Sequence, residues 1–437
     1  MDRRKRFLVL VTSVWSLSQA PQAFPQDLTS SSVAREVLET GALTLSEAVH
    51  RTLANSPTLS ASGWEVQSMD GRIRQASLWP NPEISLEAEE FGIQRDWGLR
   101  DADITLGIRQ RFPVGRRVAR RVEFEQAGKE VARSEHQVTV QEVLADVHAA
   151  FIRAVAASQR LELARQELEM GKEVLSAITA RVEGGDIPPA DVFRAETDLQ
   201  RVEIDLADAV TAEETARMSL ASFWGGAPSE VRRVVGELLV SDGTLVLPED
   251  PTTIDSAHLD VADKQVAQAK QRTRLEKALG VPDLSAGLGF RGIHGFDESA
   301  LIISVSMPLP VIDRNQGAVD EAIALARQME YRAKAQRASW RRALAFADAQ
   351  LRNSKSQYWS ITRVLLPSAR RSHEAVEAGF REGKFNTLDL LESSRRLVEV
   401  RRLEIEAAER FNLARVRVAY IAGDQNTLSM RNNHDDE

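Results

Sequence analysis

Two periodicities alternate along the chain. Ile84, Leu86 and Ala88 alternate with Glu83, Ser85, Glu87 and Glu89; Ile104, Leu106 and Ile108 alternate with Asp103, Thr105, Gly107 and Arg109. Apolar residues at period two mark strands with one apolar and one polar side. In the second half Leu284, Ala286, Leu288 and Phe290 share one face, and Leu301, Ile303, Val305 and Met307 share another. Each strand is about ten residues, near the length a tilted strand needs to cross a bilayer. The connecting stretches, Gly92 to Arg100 and Gly292 to Glu298, carry glycines and read as surface loops.

Elsewhere the period is helical. From Arg117 to Val182 there is no proline, and apolar residues recur every three or four positions, as in Val143, Val147, Ala150, Phe151, Ala154 and Val155. Roughly 65 residues at 1.5 Å rise make a rod of about 100 Å. No globule buries such a rod along its length, so it must pack as a coiled coil or a wall of helices. A second rod spans Gly317 to Arg381, where Pro367 is expected to kink or break it. A shorter helix precedes each pair of strands. One runs from Leu45 to Leu78, capped by Thr44 or Ser46 with Glu47 in the first turn; the other runs from Thr253 to Leu279. Trp79-Pro80-Asn81-Pro82 and Gly280-Val281-Pro282 end them. The rods end at glycine turns, Glu183 to Pro189 and Glu382 to Thr387, with further helices at Asp191 to Phe223 and Asp389 to Tyr420.

These elements occur twice, in one order: helix, strand, strand, long helix, turn, helix. Pro82-Glu83-Ile84-Ser85-Leu86 is echoed by Pro282-Asp283-Leu284-Ser285-Ala286, Arg111-Phe112-Pro113-Val114 by Pro308-Leu309-Pro310-Val311, and Gly185 with Asp191 by Gly383 with Asp389. The organisation read from this is a segment 1–23, a first repeat over 24–235, a linker over 236–252, a second repeat over 253–423 and a polar tail over 424–437.

Composition narrows the setting. Acidic residues number 64 against 56 basic ones, the wrong balance for a nucleic-acid binder. The 437 residues include no cysteine, which excludes disulfides, thiolate metal sites and thiol chemistry. Arg3 to Arg6, the apolar stretch Phe7 to Leu17 and the small residues Ala20 and Ala23 read as a secretory signal cut after Ala23. Nothing downstream approaches the roughly 20 apolar residues of a membrane helix, so any membrane crossing falls to the strands. Four strands cannot close a barrel in lipid, where eight is the small end and every edge must be paired. Three copies, with about twelve strands between them, would close it. The fold expected is mainly α with a small β part: a duplicated helix–strand–strand–long helix–helix unit, with long coiled-coil hairpins and four strands per subunit in a trimeric transmembrane β-barrel.

The chain resembles the TolC family of outer-membrane efflux proteins over nearly all of its mature length. The residues that carry this are Leu43 to Ala48, Pro308 to Gly317, Leu365-Leu366-Pro367, Gly379 to Phe385 and Asp389 to Glu392. Trp79 to Pro82 and Asp313-Arg314-Asn315-Gln316-Gly317 lean toward the cobalt-zinc-cadmium branch. The resemblance implies a passive exit duct in the outer membrane of a Gram-negative bacterium, with a long periplasmic extension and no bond chemistry. It implies a homotrimer in outer-membrane lipid, a periplasmic adaptor (membrane fusion protein) docked on the hairpin tips, and an inner-membrane pump of the RND type. It calls for no cofactor. A periplasmic coiled-coil scaffold or adaptor without a pore is the alternative, and a secreted enzyme a more distant one.

Three groups of residues stand out. Asp389 and Glu392 lie three apart on one helix side next to a tip, at positions that are acidic at the family's periplasmic constriction; in a trimer they would form carboxylate rings that favour cations. Asp191 is the first repeat's equivalent, partly neutralised by Arg194. The plainer reading of these acids is a solvated helix face. Gly185, Asp186, Gly383 and Lys384 form the tips and are expected to touch the adaptor, the alternative being turn geometry alone. Arg116, Arg117, Arg120 and Arg121 follow a strand, where they would meet phosphates or carboxylates near the membrane rim, or simply start a solvated helix. The seven histidines show no zinc-ligand spacing, and no P-loop or catalytic triad is present.

Overall fold

The computed structural model describes residues 42–89, 102–238, 240, 256–293 and 298–423. The signal segment, the Gly92–Arg100 loop, most of the linker and the polar tail lie outside the described residues. In chain order the elements are β1 (Ala42–Leu43), α1 (Leu45–Asn55), α2 (Pro57–Ser77), β2 (Glu83–Glu89), β3 (Asp103–Phe112), α3 (Arg117–Glu183), α4 (Ala190–Ala221), β4 (Arg233–Val234), α5 (Ala257–Leu279), β5 (Leu284–Ile293), β6 (Glu298–Ser306), α6 (Gln316–Ser360), α7 (Leu366–Arg381) and α8 (Thr387–Ala422). The described chain is mainly helical, with few strands.

The first rod is one unbroken helix of 67 residues. The second does not break at Pro367. A π-turn over Ile361–Leu365 joins α6 to α7, with the amide of Leu366 donating to the carbonyl of Ile361. Proline cannot donate to the carbonyl four residues back, and the wider turn carries the helix past that missing bond. The expected helix Leu45 to Leu78 is two helices. Pro57 forces Ser56 into extended backbone (φ −64°, ψ 122°), which ends α1 and starts α2. Of the two candidate caps, Thr44 is the one used: its hydroxyl accepts from the Glu47 amide at 3.3 Å. The helix expected from Thr253 begins at Ala257; residues 253–255 lie outside the described residues.

The strands form one antiparallel sheet in the order β2-β3-β5-β6, and β1 pairs β4 in a two-residue parallel ribbon. The register aligns Ile84, Ile108, Leu288 and Ile303 in one row and Leu86, Leu106, Phe290 and Leu301 in the next. The apolar sets of the second half, read from sequence as separate faces, thus belong to one face shared by all four strands.

Both rods start from the same unusual backbone. Arg116 and Asn315 precede them at φ 61°, the only described residues other than glycine in the left-handed region. The Asn315 side chain donates through Nδ2 to the carbonyl of Glu276 at 2.9 Å and to its carboxylate at 2.8 Å, anchoring the end of α5. Gly280 lets Arg314 approach, since a Cβ there would lie 2.5 Å from the Arg314 carbonyl oxygen. The arginine cluster works here too. Arg117 donates to the Leu279 carbonyl and pairs with Asp283, both at 2.7 Å, and Arg121 donates to the Leu78 carbonyl at 3.0 Å. Two of the four arginines therefore satisfy carbonyls at the ends of α2 and α5, where a cation also meets the negative end of the helix dipole.

The core lies between rods. Phe151, Val147 and Leu144 of α3 pack against Leu220 of α4, Trp224 and the β1–β4 ribbon. Farther along, Leu344 and Leu351 of α6 pack against Phe411, Val418 and Ile421 of α8 with Ile152 of α3. Burial is thus assembled stepwise down the length of the helices.

Candidate functional site

Two regions present chemistry to their surroundings: the faces of the sheet and the tips of the helical hairpins. On the sheet, the two apolar rows stay open to the surroundings; their residues run from 49 % exposed at Ile108 to 77 % at Ile84. A water-soluble sheet would cover such a face. The opposite face is polar. Arg291 donates to Glu89 at 2.7 Å and to the Thr105 hydroxyl at 3.0 Å, and Glu83 pairs with Arg111 at 3.5 Å. Strands β2 and β6 are the two edges and have no further strand beside them among the described residues.

At the opposite end of the rods, Gly185 and Gly383 each close a rod in left-handed backbone, at φ 78° and 77°. Amide Asp186 donates back to the Arg181 carbonyl at 2.9 Å, and amide Lys384 to the Gly379 carbonyl at 2.7 Å. No atom lies within 4 Å of a Cβ built at Gly185. Lys384 projects outward and pairs with Glu382. The tip residues thus stand exposed, as adaptor contact requires, and in the geometry that the turns alone demand.

Asp389 and Glu392 differ in their commitments. Asp389 belongs to a capping box: its amide donates to the Asn386 side chain at 2.9 Å, and its carboxylate accepts from the Asn386 amide at 3.0 Å. Glu392 is exposed, with no hydrogen bond or ion pair among the described residues. Asp191 turns inward, its side chain 12 % exposed, and pairs with Arg194 at 2.9 Å. Its other oxygen accepts from the Thr387 hydroxyl at 2.9 Å, across the two hairpins.

Sequence reasoning missed the set of bonds to which that contact belongs. Arg181 donates to the Phe380 carbonyl at 2.9 Å, and its guanidinium carbon sits 4.7 Å from the Phe380 ring centre. Arg395 of α8 pairs with Asp198 of α4. Ile178, Ala195, Phe380 and Leu390 form the small apolar core beneath. The polar ties join residues 199, 196 and 197 positions apart. That is close to the offset between Gly185 and Gly383, so near-equivalent positions of the two repeats face each other. Superposing the repeats in sequence would have brought these pairs into view. Higher up, Arg402 lies 3.7 Å from both Glu167 and Asp205. Burial pushes the Glu167 carboxyl above its ordinary range, against the pull of Arg402.

Among the described residues no three histidines or carboxylates come together as a metal site, and no helix is long and apolar enough to cross a membrane.

Comparison with known proteins places this geometry. The sequence profile described as "Outer membrane efflux protein" matches residues 48–226 and 253–424. The chain is 28 % identical over 371 residues to the cobalt-zinc-cadmium resistance protein CzcC of Cupriavidus metallidurans, covering 83 % of this chain and 85 % of that one. It is 26 % identical to the nickel-cobalt-cadmium resistance protein NccC of Alcaligenes xylosoxydans xylosoxydans, covering 69 % and 71 %. Among solved structures, CusC, studied for transmembrane channel formation, superposes with a TM-score of 0.73 at 14 % identity, over 86 % of this chain and 91 % of that one. The outer membrane protein VceC of Vibrio cholerae gives 0.67 at 16 % identity, over 87 % and 96 %.

Proposed function

The chain belongs to the outer membrane efflux protein family, and from that premise we propose that three copies join their sheets into one barrel and their hairpins into a tube that carries substrate out of the periplasm. It is an outer-membrane efflux channel subunit with a long periplasmic extension. The observation that carries the trimeric reading is the sheet: one side apolar and uncovered, the other charged, and two edges left open. In lipid an open edge leaves backbone donors and acceptors without partners, at several kcal/mol each. Closing four strands upon themselves falls short of the smallest barrels, whereas about twelve strands lie within their range. The apolar rows then face lipid, and Arg291, Glu89 and Thr105 face the lumen.

The duct is passive in this reading. An inner-membrane pump of the RND type supplies the energy, and a periplasmic adaptor docks on the tips around Gly185, Asp186, Gly383 and Lys384. Asp389 and Glu392 give the mouth its negative charge, and Glu392 is the freer of the two. Asp191 serves as a tie between hairpins, so its part in a ring of charge is small. The mouth opens when the ties Asp191–Thr387, Arg181–Phe380 and Asp198–Arg395 part and the hairpin of α7 and α8 swings away from that of α3 and α4. Heavy-metal cations are the proposed cargo, supported by likeness to CzcC and NccC. A conduit needs no resident metal site to pass them.

Outer-membrane fractionation with gel mobility before and after heating tests the assignment. A heat-sensitive band of trimer size in the outer membrane is expected. A soluble periplasmic monomer would support the scaffold reading instead. For the cargo, cells deprived of this chain should become more sensitive to cobalt, zinc or cadmium; unchanged tolerance to all three would remove the metal assignment.

A further inference from the structure

Two apolar patches flank the open edges of the sheet, and both stay exposed among the described residues. Leu78 and Trp79 lie just before edge strand β2 and are 50 % and 56 % exposed. Just after edge strand β6 come Met307, Leu309, Val311 and Ile312, with Ile312 88 % exposed. Trp79 is held in place from its own subunit. Its ring meets that of Phe112 edge-on with centres 6.0 Å apart, and the Gln110 side chain donates to the Pro80 carbonyl at 3.0 Å. Phe112 pairs with Leu284 in the register, on the outward side with Ile108 and Leu288. Ser285 pairs with Ser306, so Met307 continues the same row. Trp79, Phe112, Leu284 and Met307 thus run across the lower margin of the apolar face, from one edge of the sheet to the other.

We infer that this row closes into a collar between subunits, with Leu78 and Trp79 of one copy seated against the Met307–Ile312 segment of the next. The inference rests on the reading that copies of the chain close one barrel. Strand β2 leads away from the rods and β6 returns toward them, so β6 meets a neighbour's β2 antiparallel. The end of one then lies beside the start of the other, which is where the two patches sit. Aromatic and thioether groups suit such a seam, since sulfur packs well at a ring edge. Pro308 and Pro310 withhold two amides from the segment after β6, so it cannot extend the ladder and must be covered by side-chain contact. The open cleft beside it, about 780 Å³, is lined by Leu309, Val311 and Ile312 together with the Arg117–Asp283 pair.

The full chain contains no cysteine, so introduced pairs report without background in native outer membranes. Trp79→Cys is combined with Met307→Cys, Leu309→Cys or Ile312→Cys, and a short bismaleimide is added. The reference is Ser85→Cys with Ser304→Cys, which joins the two edge strands themselves and is scanned one pair either way. The collar predicts that at least one Trp79 combination links subunits into dimers and trimers on denaturing gels, and that single variants remain monomers. Linking of the reference without any Trp79 combination overturns the collar and leaves the barrel reading standing. In that case, labelling of Ile312→Cys by a membrane-soluble maleimide assigns the patch to lipid. Failure of the reference and the Trp79 pairs alike overturns both.

Discussion

At the scale of single residues, the periplasmic mouth separates charge from cohesion. Glu392 is exposed and uncommitted, and Asp389 caps α8 while keeping its charge near the tip. Replacing both by alanine should lower the cation preference of single channels in planar bilayers; unchanged selectivity would free them of that role. Asp191 is a tie. Removing its carboxylate leaves the buried Thr387 hydroxyl without its acceptor, a loss of about 1–3 kcal/mol. Asp191→Ala should therefore raise the conductance of the resting channel more than the exposed Glu392→Ala does. His148 sits in the rod, buried, with neither ring nitrogen hydrogen-bonded. Burial, with a smaller push from Arg415, lowers its pKa from 6.5 to about 4. Between those values the unfolded chain binds a proton that the folded chain resists. The penalty is absent above pH 6.5, grows as pH falls and is complete below about 4, where it reaches about 3 kcal/mol. His148→Leu should thus lose less of its urea midpoint between pH 7 and 4.5 than the wild type. An equal loss would contradict the assignment.

At the scale of elements, backbone geometry decides which substitutions matter. Gly185 has open space around it and a φ of 78°. Gly185→Ala should cost only the left-handed strain, about 1–2 kcal/mol, seen as a lower melting temperature with assembly intact. Gly379→Ala is expected to be worse, because its Cβ would stand 2.5 Å from the Phe385 ring. Much of this was legible in sequence. Unbroken heptad-like spacing gave α3 within a residue, and period-two alternation gave the four strands. Pro57 and Pro367 were less legible. Both remove the same bond, yet Ser56 adopts extended backbone and ends a helix, whereas Ile361–Leu365 widen into a π-turn and continue one. Tertiary packing makes that choice: Leu366 is held against Leu397 and Val400 of α8. The polar ties at the tips were hidden because each joins residues nearly a full repeat apart, and the role of Arg117 and Arg121 because their acceptors are carbonyls distant in sequence.

At the scale of the molecule, one subunit is incomplete in two ways. Its rods are too long for a globule, and among the described residues its sheet has an uncovered apolar face with two open edges. Assembly answers both, and it gives each exposed row a surface to face. A charged residue on that face should be costly in proportion to its depth. Leu106→Arg, set in the second of the aligned rows, is expected to lose about 2–4 kcal/mol and to reduce the amount of chain in the outer membrane. Ser304→Arg, at an exposed position on the polar side of β6, should be tolerated far better. Equal loss from both would deny that the two faces meet different surroundings.

The central claim is that copies of this chain close a barrel together. Native mass spectrometry of the chain released from outer membranes in mild detergent measures that directly. The account predicts a single species of three chains that precipitates when detergent is withdrawn. A monomer that stays soluble in plain buffer would contradict it.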